Sequence, residues 1–134
     1  MEPMPDPVRE RLVNLRNGLL RLHKSLLDSE RAAYERDVER ITSTGQYLNL
    51  VLNDPWFAWL RELSQFVVLI DETLDFKQDP ATAADAERLI ARAREIVSPS
   101  ETANGFGRKY FEAMQRDPAV VLAHRDMIRA FEAL

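Results

Sequence analysis

The chain has 134 residues, no cysteine and a formal net charge of −4, which fits one domain, residues 1–134, able to bury its own core. Without cysteine there is no disulfide and no thiolate nucleophile, and the composition suits a reducing cytoplasm. The acidic excess lies in residues 42–97, which hold five basic and nine acidic residues. Because the sequence has neither a continuous basic stripe nor an apolar run long enough to cross a bilayer, we expect no nucleic-acid or membrane partner.

Four Asp-Pro pairs mark predicted helix starts. An aspartate at the N-cap accepts hydrogen bonds from the free N–H groups of the first turn, and proline suits the first helical position because it has no N–H to satisfy. The pairs are Asp6-Pro7, Asp54-Pro55, Asp79-Pro80 and Asp117-Pro118. Thr82 and Asp85 form an alternative start for the third long helix, as a capping box.

Apolar spacing and turn residues then give the predicted elements in chain order. They are a long helix over 6–41, a turn over 42–45, a short helix over 46–53, a helix over 54–76, a helix from 79 or 82 to 97, a loop over 100–107, a short helix over 108–115 and a last helix from 117. The sequence predicts an all-α, up-and-down bundle of four major helices, the first one long, and two short ones.

Polar residues interrupt the apolar arc of the first helix. Arg16, His23 and Glu30 repeat every seven residues between rows of leucine, where charged groups are costly to bury unless they are paired. Asp71 shares the apolar face of the second long helix, and His124 completes the heptad spacing of the last helix. We predict that these five residues form a buried polar cluster or ligand site, in which Arg16 or His23 neutralises an enclosed Asp71.

Three interpretations of these residues stay open. In the first, they form a hydrogen-bonded network that only supports the fold. In the second, His23, His124, Asp71 and Glu30 bind a small ligand or a metal, as side chains in bundle cores do. The Glu-x-x-His pairs of di-iron bundles are absent, so we predict no bound metal and no cofactor.

The third interpretation is nucleolytic. Arg16 and His23 have six residues between them, a spacing that resembles the arginine-to-histidine motif of the HEPN helical ribonucleases. The resemblance implies ribonuclease activity. In that family, however, the motif belongs to a later helix and completes a dimer cleft, whereas here it lies within the first helix.

Aromatic residues give a second candidate site. Trp56 and Trp59 are three residues apart in the segment DPWFAWL, and Tyr110 lies on the second short helix. Aromatic residues at helical spacing pack in a core, line a ligand pocket or form an interface. We therefore keep these three as an aromatic surface or pocket, with core packing as the alternative.

The segments LHKSLLDSER at 22–31, DPWFAWL at 54–60 and IDE at 70–72 resemble a family of short bacterial all-helical proteins without an assigned function. The resemblance implies a bacterial, soluble protein and carries over no catalytic residue. No nucleophile–base pair or phosphate-binding loop can be assembled from the sequence. We expect a non-enzymatic helical module that acts through protein contacts, as a homodimer if the wide apolar arc of the first helix is only partly covered.

Overall fold

The computed structural model describes residues 4–75 and 81–133, which form helices joined by short connections. The α-helices are α1 (Asp6–Asp37), α2 (Thr44–Asn53), α3 (Arg61–Asp75), α4 (Ala83–Ile96), α5 (Phe106–Arg116) and α6 (Pro118–Glu132), with a 3₁₀ helix over Pro55–Leu60 directly before α3. The all-α class predicted from apolar spacing is confirmed.

Two of the predicted Asp-Pro starts have the expected capping geometry. The carboxylate of Asp54 accepts a hydrogen bond from the N–H of Trp56 at 2.8 Å, and that of Asp117 accepts one from Ala119 at 2.9 Å. Asp6 instead lies inside the first turn of α1, where the N-cap position is taken by Pro5 without a side-chain hydrogen bond. The prediction of Asp6 as an N-cap is therefore wrong.

The start of α4 is a capping box. The N–H of Asp85 donates to Thr82 Oγ1 at 3.2 Å, and the N–H of Thr82 donates to the Asp85 carboxylate at 2.8 Å. The hydrogen bond that the Thr82 N–H donates to the carboxylate also lowers the pKa of Asp85, because it favours the ionised form. The alternative start, Asp79-Pro80, lies outside the described residues, as does the predicted end of the preceding helix at Phe76.

Several helix boundaries differ from the predictions. Helix α1 ends at Asp37, four residues before the predicted Ile41, because residues 36–40 are all exposed and give that last turn nothing to pack against. Ile41 returns to the core from a non-helical segment. Helix α2 begins at Thr44 within the predicted turn, and α5 begins at Phe106, within the predicted loop.

Helix α1 is the element on which the others pack. Helices α3, α4, α5 and α6 and the 3₁₀ helix all contact it. Its core side chains are leucines with at most 1% exposure, namely Leu12, Leu15, Leu19, Leu22 and Leu26. Each such burial contributes roughly 1.5–3 kcal/mol relative to exposure, so α1 supplies a large share of the core.

Two contacts set how α3 and α6 lie on α1. The guanidinium of Arg9 donates to the carbonyl of Leu74 at 2.8 Å, and Arg16 meets Asp71, so α3 runs antiparallel to α1. On the α6 side, a Cβ at Gly18 would lie 2.7 Å from Met127 Sδ. The absence of a side chain at Gly18 therefore lets Met127 pack directly on the α1 backbone.

Helix α2 is packed differently from the rest. It contacts mainly the 3₁₀ helix, and none of its ten residues is buried. Tyr47 holds it in place, with its ring 6.1 Å from that of Phe57 and the Arg31 guanidinium 4.5 Å from its centroid. In the part of the chain that the structure describes, no helix combines the length and the apolar character needed to cross a bilayer.

Candidate functional site

The polar residues predicted to form one cluster lie apart from one another, except that Arg16 and Asp71 form a pair. Side chains seven residues apart on a helix lie about 10 Å apart along its axis. Arg16, His23 and Glu30 therefore each meet a different neighbour. Among residues 4–75 and 81–133, no group of three or more His, Asp or Glu side chains is arranged to hold a metal ion.

Arg16 and Asp71 form the first pair. The Arg16 Nη1 atom donates to Asp71 Oδ1 at 2.8 Å, and the side chains are 25% and 44% exposed respectively. Asp71 therefore pairs with one of its two predicted partners, but it lies at the rim of the bundle and not inside it. A rim position keeps the carboxylate hydrated, which avoids the desolvation penalty of a buried ion pair.

Glu30 belongs to the second pair, and it is the buried one. Its side chain is only 6% exposed, and it accepts a hydrogen bond from Arg116 Nη2 at the end of α5. Arg116 Nε also donates to Ser29 Oγ at 3.2 Å. Sequence reasoning did not identify Arg116 as the partner of Glu30. Its position in the last turn of α5 is favoured by the helix dipole, which explains a cation there but does not indicate its partner.

His124 pairs with Tyr110, between α6 and α5. The Tyr110 hydroxyl lies 2.6 Å from His124 Nδ1, and the two rings are nearly perpendicular at 87°. Burial raises the pKa of the Tyr110 phenol and lowers the pKa of His124. Both shifts favour the uncharged forms, and the tautomer of the imidazole decides which of the two groups donates.

The aromatic residues divide between core and partial burial. Tyr110 is fully buried, so it belongs to the core and not to an aromatic surface. Trp56 packs edge-on against Tyr34 with centroids 5.6 Å apart, and Trp59 packs against Phe106 at 5.2 Å. Both indole N–H groups are enclosed without a hydrogen-bond partner among the described residues.

His23 lines a surface groove of about 250 Å³ between α1, α2, the 3₁₀ helix and α3, which we call the His23 groove. No described side chain hydrogen-bonds to the His23 ring, and burial lowers its pKa, which favours the neutral form. The other lining residues are Val51, Leu52, Phe57, Leu60, Arg61, Ser64 and Gln65. Arg61 Nη2 donates to the carbonyl of Leu52 at 2.7 Å, which links the α2 and α3 sides of the groove.

An exposed apolar surface borders this groove on α2. Leu48 and Leu52 are 57% and 60% exposed, and they lie one turn apart on one side of the helix. Asn49 and Asn53 lie beside them, also exposed, with Asn53 Nδ2 donating to Asn49 Oδ1 at 2.8 Å. We call these four residues the α2 face.

Sequence reasoning did not identify the α2 face. A signal was present, because the segment TGQYLNLVLN has no charged residue and distributes its apolar residues around the helix. A short helix that is apolar on more than one side cannot bury every side against a single neighbour. The uncharged segment therefore indicated an exposed apolar side, or burial on all sides.

Comparison with known proteins found no matching family model and no significant match to a curated protein or to a solved structure. Function is therefore inferred from the chemistry and geometry of the site itself.

Proposed function

We propose that this protein is a soluble, cytoplasmic, non-enzymatic helical module that acts through protein contacts, and that a second copy of the chain binds to the α2 face. The observation that carries the proposal is the exposure of Leu48 and Leu52 on a helix that has no charged and no buried residue. Grouped apolar side chains on a surface are typical of interaction sites.

The chemistry of the α2 face favours a second copy as the partner. In a two-fold dimer the same patch meets itself, so the patch must be self-complementary. An uncharged helix brings no like-charge repulsion when two copies meet. The carboxamides of Asn49 and Asn53 both donate and accept hydrogen bonds, so each can pair with its own symmetry mate.

The His23 groove suits the same interaction. Pockets for drug-sized ligands occupy roughly 300–1,000 Å³, and the groove, at about 250 Å³, is smaller. Its apolar lining matches one aliphatic or aromatic side chain of a partner. Because Leu52 belongs to both the groove and the α2 face, a partner docked on the face would also cover the groove.

Sedimentation equilibrium of two charge variants tests the dimer. Leu48→Glu places a charge on the α2 face, whereas Leu122→Glu places one on α6 at a residue with the same 57% exposure. We expect a dimer for the wild type and for Leu122→Glu, and a monomer for Leu48→Glu. A wild-type monomer at every accessible concentration would overturn the homodimer, and equal dissociation by both variants would remove the α2 face as its interface.

A second candidate function is binding of a small ligand in the His23 groove. The observation that favours it is the neutral His23 ring, which faces the groove together with Ser64 and Gln65 and has no partner among the described side chains. With Arg61 at the rim, a short aliphatic carboxylate has suitable chemistry. The ribonuclease alternative has less support, because Arg16 is bonded to Asp71.

Butyrate is a suitable probe for this second candidate. Titration followed by NMR of the two histidine rings should shift the His23 signals saturably and leave those of His124 unchanged, since His124 is bonded to Tyr110 on other helices. Butylamine is the matched control of opposite charge. No saturable shift at His23, or equal shifts at both histidines, would contradict carboxylate binding.

A further inference from the structure

The chain contains two Asn-Gly pairs in opposite surroundings, Asn17-Gly18 within α1 and Asn104-Gly105 in the connection from α4 to α5. In such a pair the main-chain nitrogen of glycine can approach the asparagine carboxamide, because glycine has no Cβ to obstruct it and adopts many backbone conformations. Whether the glycine nitrogen reaches the carboxamide depends on how strongly the surrounding structure restrains each pair.

No hydrogen bond to a described residue restrains the Asn104 side chain or the Gly105 N–H, although the Gly105 carbonyl accepts from the N–H of Lys109 at 3.1 Å. Both residues are exposed. Gly105 has a φ of +73°, its N–H makes no hydrogen bond to a described residue, and no heavy atom lies within 4 Å of the site of a Cβ. The side-chain hydrogen bonds of this loop are made by Ser100 and Arg108 and not by Asn104.

The Asn17-Gly18 pair is held firmly. Gly18 is buried in the interior of α1, where the helix hydrogen bonds occupy its N–H. Asn17 Oδ1 also accepts from Arg16 Nη2 at 3.4 Å. The glycine nitrogen can reach the asparagine side chain only if this part of α1 unfolds.

We propose that Asn104 is a site of spontaneous deamidation in the folded protein. The nitrogen of Gly105 attacks Cγ of Asn104, an N–Cγ bond forms, and the Cγ–Nδ2 bond breaks. The amide proton of Gly105 leaves with the amino group as ammonia, and a succinimide ring remains. Water then opens the ring at either carbonyl and produces aspartate or isoaspartate.

The reaction changes the chain immediately before α5. Each event adds one negative charge and takes the formal net charge from −4 to −5. The isoaspartyl product also adds a methylene group to the main chain next to the α5 N-cap, Gly105. Helix α5 bears Tyr110 and Arg116, whose hydrogen bonds reach α6 and α1, so the modification lies at the entrance of a helix that connects two others.

Peptide mass spectrometry of the full chain after prolonged warm incubation at mildly alkaline pH tests the proposal. We expect acidic products, as aspartyl and isoaspartyl peptides, at Asn104 and intact amide at Asn17. A parallel incubation in concentrated urea should modify both sites, which shows that both are chemically competent once unfolded. Isoelectric focusing should show an acidic form of the native wild type that does not appear in Asn104→Gln.

Two results would overturn the proposal. One is an intact Asn104 in the native sample while the urea sample is modified at both pairs. The other is an equal rate of modification at Asn17 and Asn104 in the native sample, because the folded structure would then have no influence on the choice of site.

Discussion

Glu30 and Asp71 both pair with arginine, but burial makes the two interactions energetically different. The Glu30 side chain is 6% exposed and that of Asp71 is 44% exposed. A carboxylate removed from water depends on its partner, because an uncompensated buried charge is costly. A carboxylate at the surface keeps its hydration and loses little when its partner is removed.

We therefore expect Arg116→Ala to destabilise the protein by about 2 kcal/mol. A fully enclosed pair would lose roughly 3–5 kcal/mol, but the Arg116 side chain is itself 29% exposed, so its removal admits water to Glu30. Asp71→Ala should cost under about 1 kcal/mol. Urea denaturation monitored by circular dichroism measures both, and equal losses for the two variants would contradict this difference in burial.

At the scale of elements, the contact between α1 and α6 depends on Gly18. Glycine in a helix interior costs about 1 kcal/mol relative to alanine. Here, however, a Cβ would lie 2.7 Å from the Sδ atom of Met127, which is 1% exposed. Overpacking of a core costs roughly 1–3 kcal/mol, which exceeds the gain in helix propensity.

Gly18→Ala should accordingly destabilise the wild type by about 1 kcal/mol. In a Met127→Ala background the obstructing sulfur is gone, and the same substitution should stabilise by roughly 0.5–1 kcal/mol. Chemical denaturation of the wild type, the two single variants and the double variant gives the coupling free energy between positions 18 and 127. The same effect of Gly18→Ala in both backgrounds would show that Met127 does not limit the approach of α6.

At the scale of the whole molecule, the two histidines link stability to pH. Burial lowers the pKa of His23 and of His124 below the usual 6.5. Between that value and the lower folded pKa, the unfolded chain binds more protons than the folded one, so stability rises with pH. The stability that the two neutral histidines contribute is complete above about pH 6.5. It is lost as the pH falls toward their pKa values in the folded protein.

We expect the free energy of unfolding to decrease from about pH 7.5 to about pH 5.5, above the range where most carboxylates titrate. The slope should be smaller in the variant His23→Gln with His124→Gln. Chemical denaturation at a series of pH values measures this slope. The protein concentration is held fixed because self-association would make stability depend on concentration. An unchanged slope in the double variant would assign the pH dependence to other groups.

The helical class and the starts of the 3₁₀ helix, α4 and α6 follow from the sequence alone, because their causes are local. The carboxylates of Asp54 and Asp117 bond to N–H groups two residues ahead, and Thr82 and Asp85 complete their box within one turn. Heptad spacing likewise predicted five buried leucines of α1, but it also placed Leu20 on the apolar arc, where the side chain is 46% exposed. Caps and periodicity involve near neighbours in the chain, so they can be read before the fold is known.

Only the tertiary structure decided which side chains meet and which remain exposed. Periodicity placed Glu30 on the inner side of α1, but its partner Arg116 is 86 residues away, and no local pattern encodes that distance. Asp71 has the same spacing as core residues, yet it lies at the rim. Helix α2 leaves Leu48 exposed because its main neighbour is a short 3₁₀ helix. Which side of a helix is buried depends on how the elements pack, and the sequence of that helix alone does not specify it.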